Sequence, residues 1–185
     1  MRLELLASSF GNGEAPSQRQ HLSCIVIDDV VAFDAGSLAF SCSDRQREQI
    51  RDVIISHSHL DHIAGLPLFL DDLFSTLTGP VRVHAKAEVI EVLERDVFNW
   101  SIYPKFSELK NSNGPVLEYR PFLAGNPFTI KHLTFKPIDV NHMVSSVGAI
   151  ISDGKVCVGI TGDTAHTEAI WKEFNDCEDL AAVLV

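Results

Sequence analysis

Residues 57–62 read His57-Ser58-His59-Leu60-Asp61-His62, so four of six consecutive side chains carry metal-ligating groups. Just upstream, Asp52-Val53-Ile54-Ile55 is an apolar run suited to a buried strand that ends at Ser56. Just downstream, Ile63 to Leu73 is apolar with a helical look. Imidazoles and a carboxylate crowded into a strand-to-helix turn constrain the fold more than any other part of the chain, because burying them without a compensating cation is costly. In an extended segment alternate side chains point the same way, so His57 and His59 can share one ion. Asp61 and His62 follow the turn and can face a second. Neutral imidazole and carboxylate suit zinc and similar divalent ions. The competing reading is a polar loop with coincidental histidines.

Two later pieces sit at predicted strand ends. Asn141-His142 follows the run Leu133–Val140, and Thr161-Gly162-Asp163-Thr164 follows Val156–Ile160. His142 can complete the His57/His59 ion, or be a surface histidine. Asp163 can bridge both ions through its two oxygens, with Gly162 letting the backbone approach closely. His21, His84, His132 and His166 lack such context, and His166 reads as a residue at the start of a helix.

Strands are expected over Met1–Ala7, His21–Ile27, Val30–Phe33, Arg51–Ser56, Val81–Ala85, Val116–Phe122, Phe128–Ile130, Leu133–Val140, Val147–Ser152, Val156–Thr161 and Ala181–Val185. Ser8–Gln20, rich in Gly, Asn, Ser and Pro, is a predicted loop, and Asp28-Asp29 a predicted hairpin turn. Ser43 with Gln46 three residues on predicts a capped short helix to Ile50. Val89, Val92, Leu93 and Val97 predict an amphipathic helix over Lys86–Phe98. Thr167–Phe174 is a further predicted helix, and Asn99 to Gly114 is irregular. This alternation predicts layered sheets with helices outside.

The chain of 185 residues, 45% apolar and 22% charged, suits one soluble domain over residues 1–185. Its net charge of −10, with no Lys/Arg block, does not favour a nucleic acid or any other polyanion as partner. Cys24, Cys42, Cys157 and Cys177 form no CxxC pair, which predicts reduced cysteines that bind no metal in a cytoplasmic protein. No segment reads as a signal peptide, and no apolar run approaches the ~20 residues of a membrane span. The chain stops at Val185 inside an apolar run with no turn or polar tail behind it, which reads as a truncation at the C-terminus. An unfinished sheet edge of that kind would favour a homo-oligomer or another protein partner.

Taken together, His57-Ser58-His59-Leu60-Asp61-His62-Ile63-Ala64-Gly65-Leu66, Val97-Phe98-Asn99-Trp100-Ser101-Ile102-Tyr103-Pro104, Val140-Asn141-His142 and Thr161-Gly162-Asp163-Thr164 resemble the metallo-β-lactamase superfamily. Within it the chain resembles the class-II cyclic-nucleotide phosphodiesterases and their bacterial relatives. The resemblance implies an α/β fold, a four-layer αββα sandwich with a metal site at one edge between the sheets. It implies two divalent ions, zinc foremost with manganese or iron as alternatives. His57, His59 and His142 would bind one, while Asp61, His62 and Asp163 would serve the second, Asp163 bridging. It also implies a last ligand histidine beyond Val185, so this chain would lack the final strand, loop and helix of the domain. The glycine-rich first loop of the superfamily is irregular here, as Ser8-Ser9-Phe10-Gly11-Asn12-Gly13. Asp34-Ala35-Gly36 matches a family turn whose carboxylate orients a ligand histidine; otherwise it is simply a turn-forming Asp-x-Gly.

The activity implied is hydrolysis of 3′,5′-cyclic nucleotides to nucleoside monophosphates, by a hydroxide shared between the ions, with Asp61 orienting the nucleophile or taking its proton. The substrate is then a small anion. Trp100, Tyr103 and Phe106 either wall a base pocket or pack into the core. Alternatives are tRNA 3′ processing, lactone or sulfate-ester hydrolysis, and a non-catalytic metal-binding remnant.

Overall fold

The structure is a computed structural model and describes residues 1–8 and 21–185. The expected loop over Ser8–Gln20 and the irregular glycine-bearing segment both fall, from residue 9 onward, outside the described residues. Backbone contacts gather into two compact units, Arg2–Arg120 and Pro121–Val185, the latter joined by Met1.

In the first unit, β1 (Leu3–Leu5), β2 (Ile25–Ile27) and β3 (Val31–Phe33) are successive antiparallel neighbours. Asp28 and Asp29 turn the β2–β3 hairpin, both with positive φ (48° and 60°). That left-handed pair is the turn whose twist matches the flanking strands, and short Asp side chains tolerate it. A four-residue helix, α1 (Leu38–Ser41), follows β3. Ser43 then caps α2 (Asp44–Gln49) through a full capping box with Gln46, the signal its spacing carries. β4 (Asp52–Ile54) lies parallel to β3.

Beyond β4 the chain enters α3 (Leu60–Ile63) and, after Ala64, α4 (Gly65–Leu73). Leu66, Phe69, Leu70 and Leu73 of α4 are buried in a core shared with Val26, Val53 and Ile55. β5 (Val81–Ala85) is parallel to β4, and α5 (Ala87–Val92) runs into a π-turn over Leu93–Val97. The one continuous helix expected over Lys86–Phe98 therefore changes pitch, with Phe98 N–H donating to Leu93 O at 2.8 Å. A small hairpin of β6 (Lys110–Asn111) and β7 (Gly114–Pro115) interrupts the irregular segment. β8 (Leu117–Pro121) then completes a six-stranded sheet of order β1-β2-β3-β4-β5-β8.

The second unit is a five-stranded sheet. β9 (Phe128–Ile130), β10 (Leu133–Asp139), β11 (Val147–Ser152) and β12 (Cys157–Ile160) pair antiparallel in succession. After α6 (Ala169–Asn175), β13 (Leu180–Leu184) joins parallel to β12. Ile170 and Phe174, one helical turn apart on α6, bury into Gly148 and Gly159, where a Cβ would come within 2.4 Å and 2.8 Å of them. Among the described residues no helix is long and apolar enough to cross a membrane.

Candidate metal centre

β4 delivers the motif. Ile54 O accepts from Asp34 N–H and His84 O accepts from Ile55 N–H, so the strand stays anchored on both sides up to Ser56. His57 is fully buried, and His59 is still extended, with ψ 148°, before α3 begins. Alternate residues of an extended segment share a side. His57 Nε2 and His59 Nδ1 accordingly lie 3.1 Å apart. The ring centroids of His57 and His62 lie 4.1 Å apart, and Asp61 Oδ2 is 3.5 Å from His62 Nε2.

A hydrogen-bond network behind the rings sets which nitrogen faces forward. Asp34 is buried at the end of β3 with φ 60°. Its Oδ1 accepts from Ser56 N–H at 2.8 Å, and its Oδ2 accepts from Ser56 Oγ–H at 3.0 Å and His62 Nδ1–H at 2.7 Å. A carboxylate only accepts, so His62 carries its proton on Nδ1. Ser56, having donated to Asp34, accepts from His57 Nδ1–H at 3.0 Å. Both rings therefore present Nε2 as the lone-pair nitrogen, which suits metal coordination. Two zinc–nitrogen bonds of ~2.0–2.1 Å at a tetrahedral angle would hold their nitrogens ~3.3 Å apart, close to the His57–His59 separation. This donor set fits a divalent ion.

The turn Asp34-Ala35-Gly36 also holds the backbone of the motif. Ala35 N–H donates to His62 O, Gly65 N–H to Ala35 O, and Ser23 N–H to Asp61 O. Gly36 lies so close that a Cβ there would sit 1.8 Å from Asp61 O. Ser56 is the functional residue that sequence reading passed over. Its signal was a hydroxyl directly before the first histidine.

At the opposite end of β4, buried Asp52 accepts from Arg82 Nε–H at 2.7 Å and from His84 Nε2–H at 2.8 Å. Burial opposes ionisation of Asp52, yet these hydrogen bonds outweigh it and bring its pKa down to about 2. His84 is thereby committed to a structural ion cluster. His166, 89% exposed, lies just before α6.

In the second unit, His142 follows β10 and Asp163 follows β12, and ligand atoms of the two lie within 4.8 Å of each other. Ala165 N–H donates to Asn141 O at 2.7 Å, and Asn141 Nδ2–H to His166 O at 3.0 Å, which clasps the two loops together. Gly162 has φ 60°, and a Cβ there would meet Val147 O at 2.9 Å. Of the three aromatic candidates, Phe106 is buried in the core of the first unit and Tyr103 packs half-buried against it, whereas Trp100 is 58% exposed.

Residues 24–184 match the family described as Beta-lactamase superfamily domain. A probable 3′,5′-cyclic-nucleotide phosphodiesterase of Yersinia pestis is 36% identical over 62 residues, covering 34% of this chain and 17% of the relative. The chloroplastic tRNase Z TRZ2 of Arabidopsis thaliana is 24% identical over 136 residues, 71% of this chain and 34% of the relative. The crystal structure of unliganded yeast PDE1 superposes with a TM-score of 0.67 at 17% identity, covering 93% of this chain and 69% of that one. The chain thus spans between 17% and 34% of the length of these curated relatives and 69% of the solved structure.

Proposed function

Since the chain belongs to the β-lactamase superfamily, with a metallo-β-lactamase fold and a hydrolase family behind it, we propose that it is a metal-dependent phosphodiesterase that opens 3′,5′-cyclic nucleotides. The observation that carries this reading is the pair of imidazoles, His57 and His62, whose Nδ1 protons are committed to Ser56 and Asp34. His57, His59, Asp61 and His62 would hold two divalent ions, zinc foremost. His142 and Asp163 would supply the remaining ligands, an assignment that rests on their place in the family pattern.

Divalent ions supply Lewis acidity, drawing the pKa of water towards neutrality and offsetting charge on phosphoryl oxygens. Asp34 and Ser56 fix the ring orientations. Asp61, half-exposed beside His62, orients the attacking water in line with phosphorus or takes its proton. The likeness to the Yersinia phosphodiesterase favours a cyclic nucleotide, and the net charge of −10 disfavours a long polyanion.

The longer but weaker likeness to the Arabidopsis tRNase Z supports tRNA 3′ processing as a second reading. Purified protein with added zinc or manganese is to be incubated with cyclic AMP, cyclic GMP or a 3′-extended tRNA precursor, and its metal content measured. Nucleoside monophosphate release with two ions per chain supports the proposal. Cleavage of the precursor alone replaces it with the second reading, and no turnover by folded, metal-loaded protein overturns both.

A further inference from the structure

Cys157 opens β12, and Cys177 lies in the turn between α6 and β13. Backbone hydrogen bonds hold these two places together: Cys157 N–H donates to Asp179 O at 2.8 Å, and Leu180 N–H to Cys177 O at 3.3 Å. Both side chains are half-buried and pack against the same apolar cluster of Ile138, Ile150, Ile170 and Phe174. Cys24, in contrast, is wholly buried.

We propose that Cys157 and Cys177 are a reversible dithiol–disulfide pair, closed by peroxide, that staples together the two ends of the segment carrying Gly162 and Asp163. The thiolate of Cys157 attacks one oxygen of hydrogen peroxide, the O–O bond breaks, and hydroxide leaves, giving a sulfenic acid. The sulfur of Cys177 then attacks that sulfenic sulfur, the S–O bond breaks, and the hydroxyl leaves as water with the proton from Cys177. Two thiols are oxidised and one peroxide is reduced to two waters. Burial pushes the Cys177 thiol up, so Cys177 enters the second step still carrying the proton that departs with the hydroxyl. The pair needs no bound metal, and its test reads thiols rather than turnover.

The reduced 185-residue chain is exposed to hydrogen peroxide, alkylated and cut with trypsin, whose sites after Lys155 and Lys172 put the two cysteines on separate peptides. A cross-linked pair of those peptides, released by dithiothreitol, is the expected product. In C177S the cross-link disappears and Cys157 traps dimedone as a sulfenic acid. Closing this loop raises the melting temperature by about 6–12 °C. Recovery of both cysteines alkylated, their over-oxidation without a cross-link, or a bridge to Cys24 or Cys42 overturns the pair. A cross-link that leaves the melting temperature unchanged or lower overturns the staple.

Discussion

The carboxylate of Asp34 accepts the Nδ1 proton of His62 at 2.7 Å while its other oxygen takes the backbone N–H of Ser56 at 2.8 Å. One buried side chain thus orients a ligand ring and the strand end that launches the motif. Asp34→Asn keeps the left-handed backbone, which Asn tolerates, but converts one acceptor into a donor. That donor then faces either Ser56 N–H or the His62 ring. Zinc affinity is expected to fall ~10–100-fold, measured by competition with a chromophoric chelator. Unchanged affinity would mean that His62 is held by something else.

Gly36 has no room for a side chain. A Cβ would sit 1.8 Å from Asp61 O and 2.8 Å from Ser23 N, both backbone atoms that hydrogen-bond each other. Gly36→Ala should cost about 3 kcal/mol or more of folding stability, since backbone cannot step aside as a flexible side chain does. Gly79, with nothing within 4 Å of its Cβ position, is the matched control. Gly79→Ala should stay within ~0.5 kcal/mol. Urea unfolding of both variants decides the matter.

Much of this arrangement is legible in the sequence because it is written in local chemistry. The histidine motif between an apolar strand and an apolar helix, the Ser43–Gln46 capping box and the Asp28-Asp29 turn each declare themselves within a few residues. What stays hidden depends on partners distant in sequence. Ser56 is an ordinary strand-end serine until Asp34, 22 residues earlier, is seen to accept from it. Phe106 and Trp100 have the same aromatic character, and only packing buries one and exposes the other. Apolar spacing over Lys86–Phe98 reports a buried face but not hydrogen-bond pitch, so the π-turn leaves no mark in the pattern. Helix α1, at four residues, is too short for periodicity to register.

Asp52 makes stability depend on pH in a defined window. Its folded pKa, about 2, lies below the ordinary 3.8, so folding favours the ionised form. The contribution is complete above pH ~4 and is lost as pH falls through ~2, and the shift corresponds to about 2 kcal/mol. Asp52→Asn should therefore lower stability by roughly that amount at pH 7, and the gap between variant and wild type should close between pH ~4 and ~2. A gap constant across that range would show that Arg82 and His84 do not depend on the charge.

Asp61 separates folding from chemistry. Its carboxylate is 50% exposed, 3.5 Å from His62 Nε2, so truncating it removes no core contact, and stability should change by less than ~0.5 kcal/mol. Its carbonyl, which accepts from Ser23 N–H, is untouched by a side-chain change. If Asp61 positions or deprotonates the attacking water, Asp61→Ala should lower kcat for cyclic-nucleotide hydrolysis by ~10²–10⁴-fold. Thermal unfolding monitored beside turnover distinguishes the outcomes. A stable variant that turns over at the wild-type rate would remove Asp61 from the reaction, whereas one that loses turnover and stability together would make its role structural.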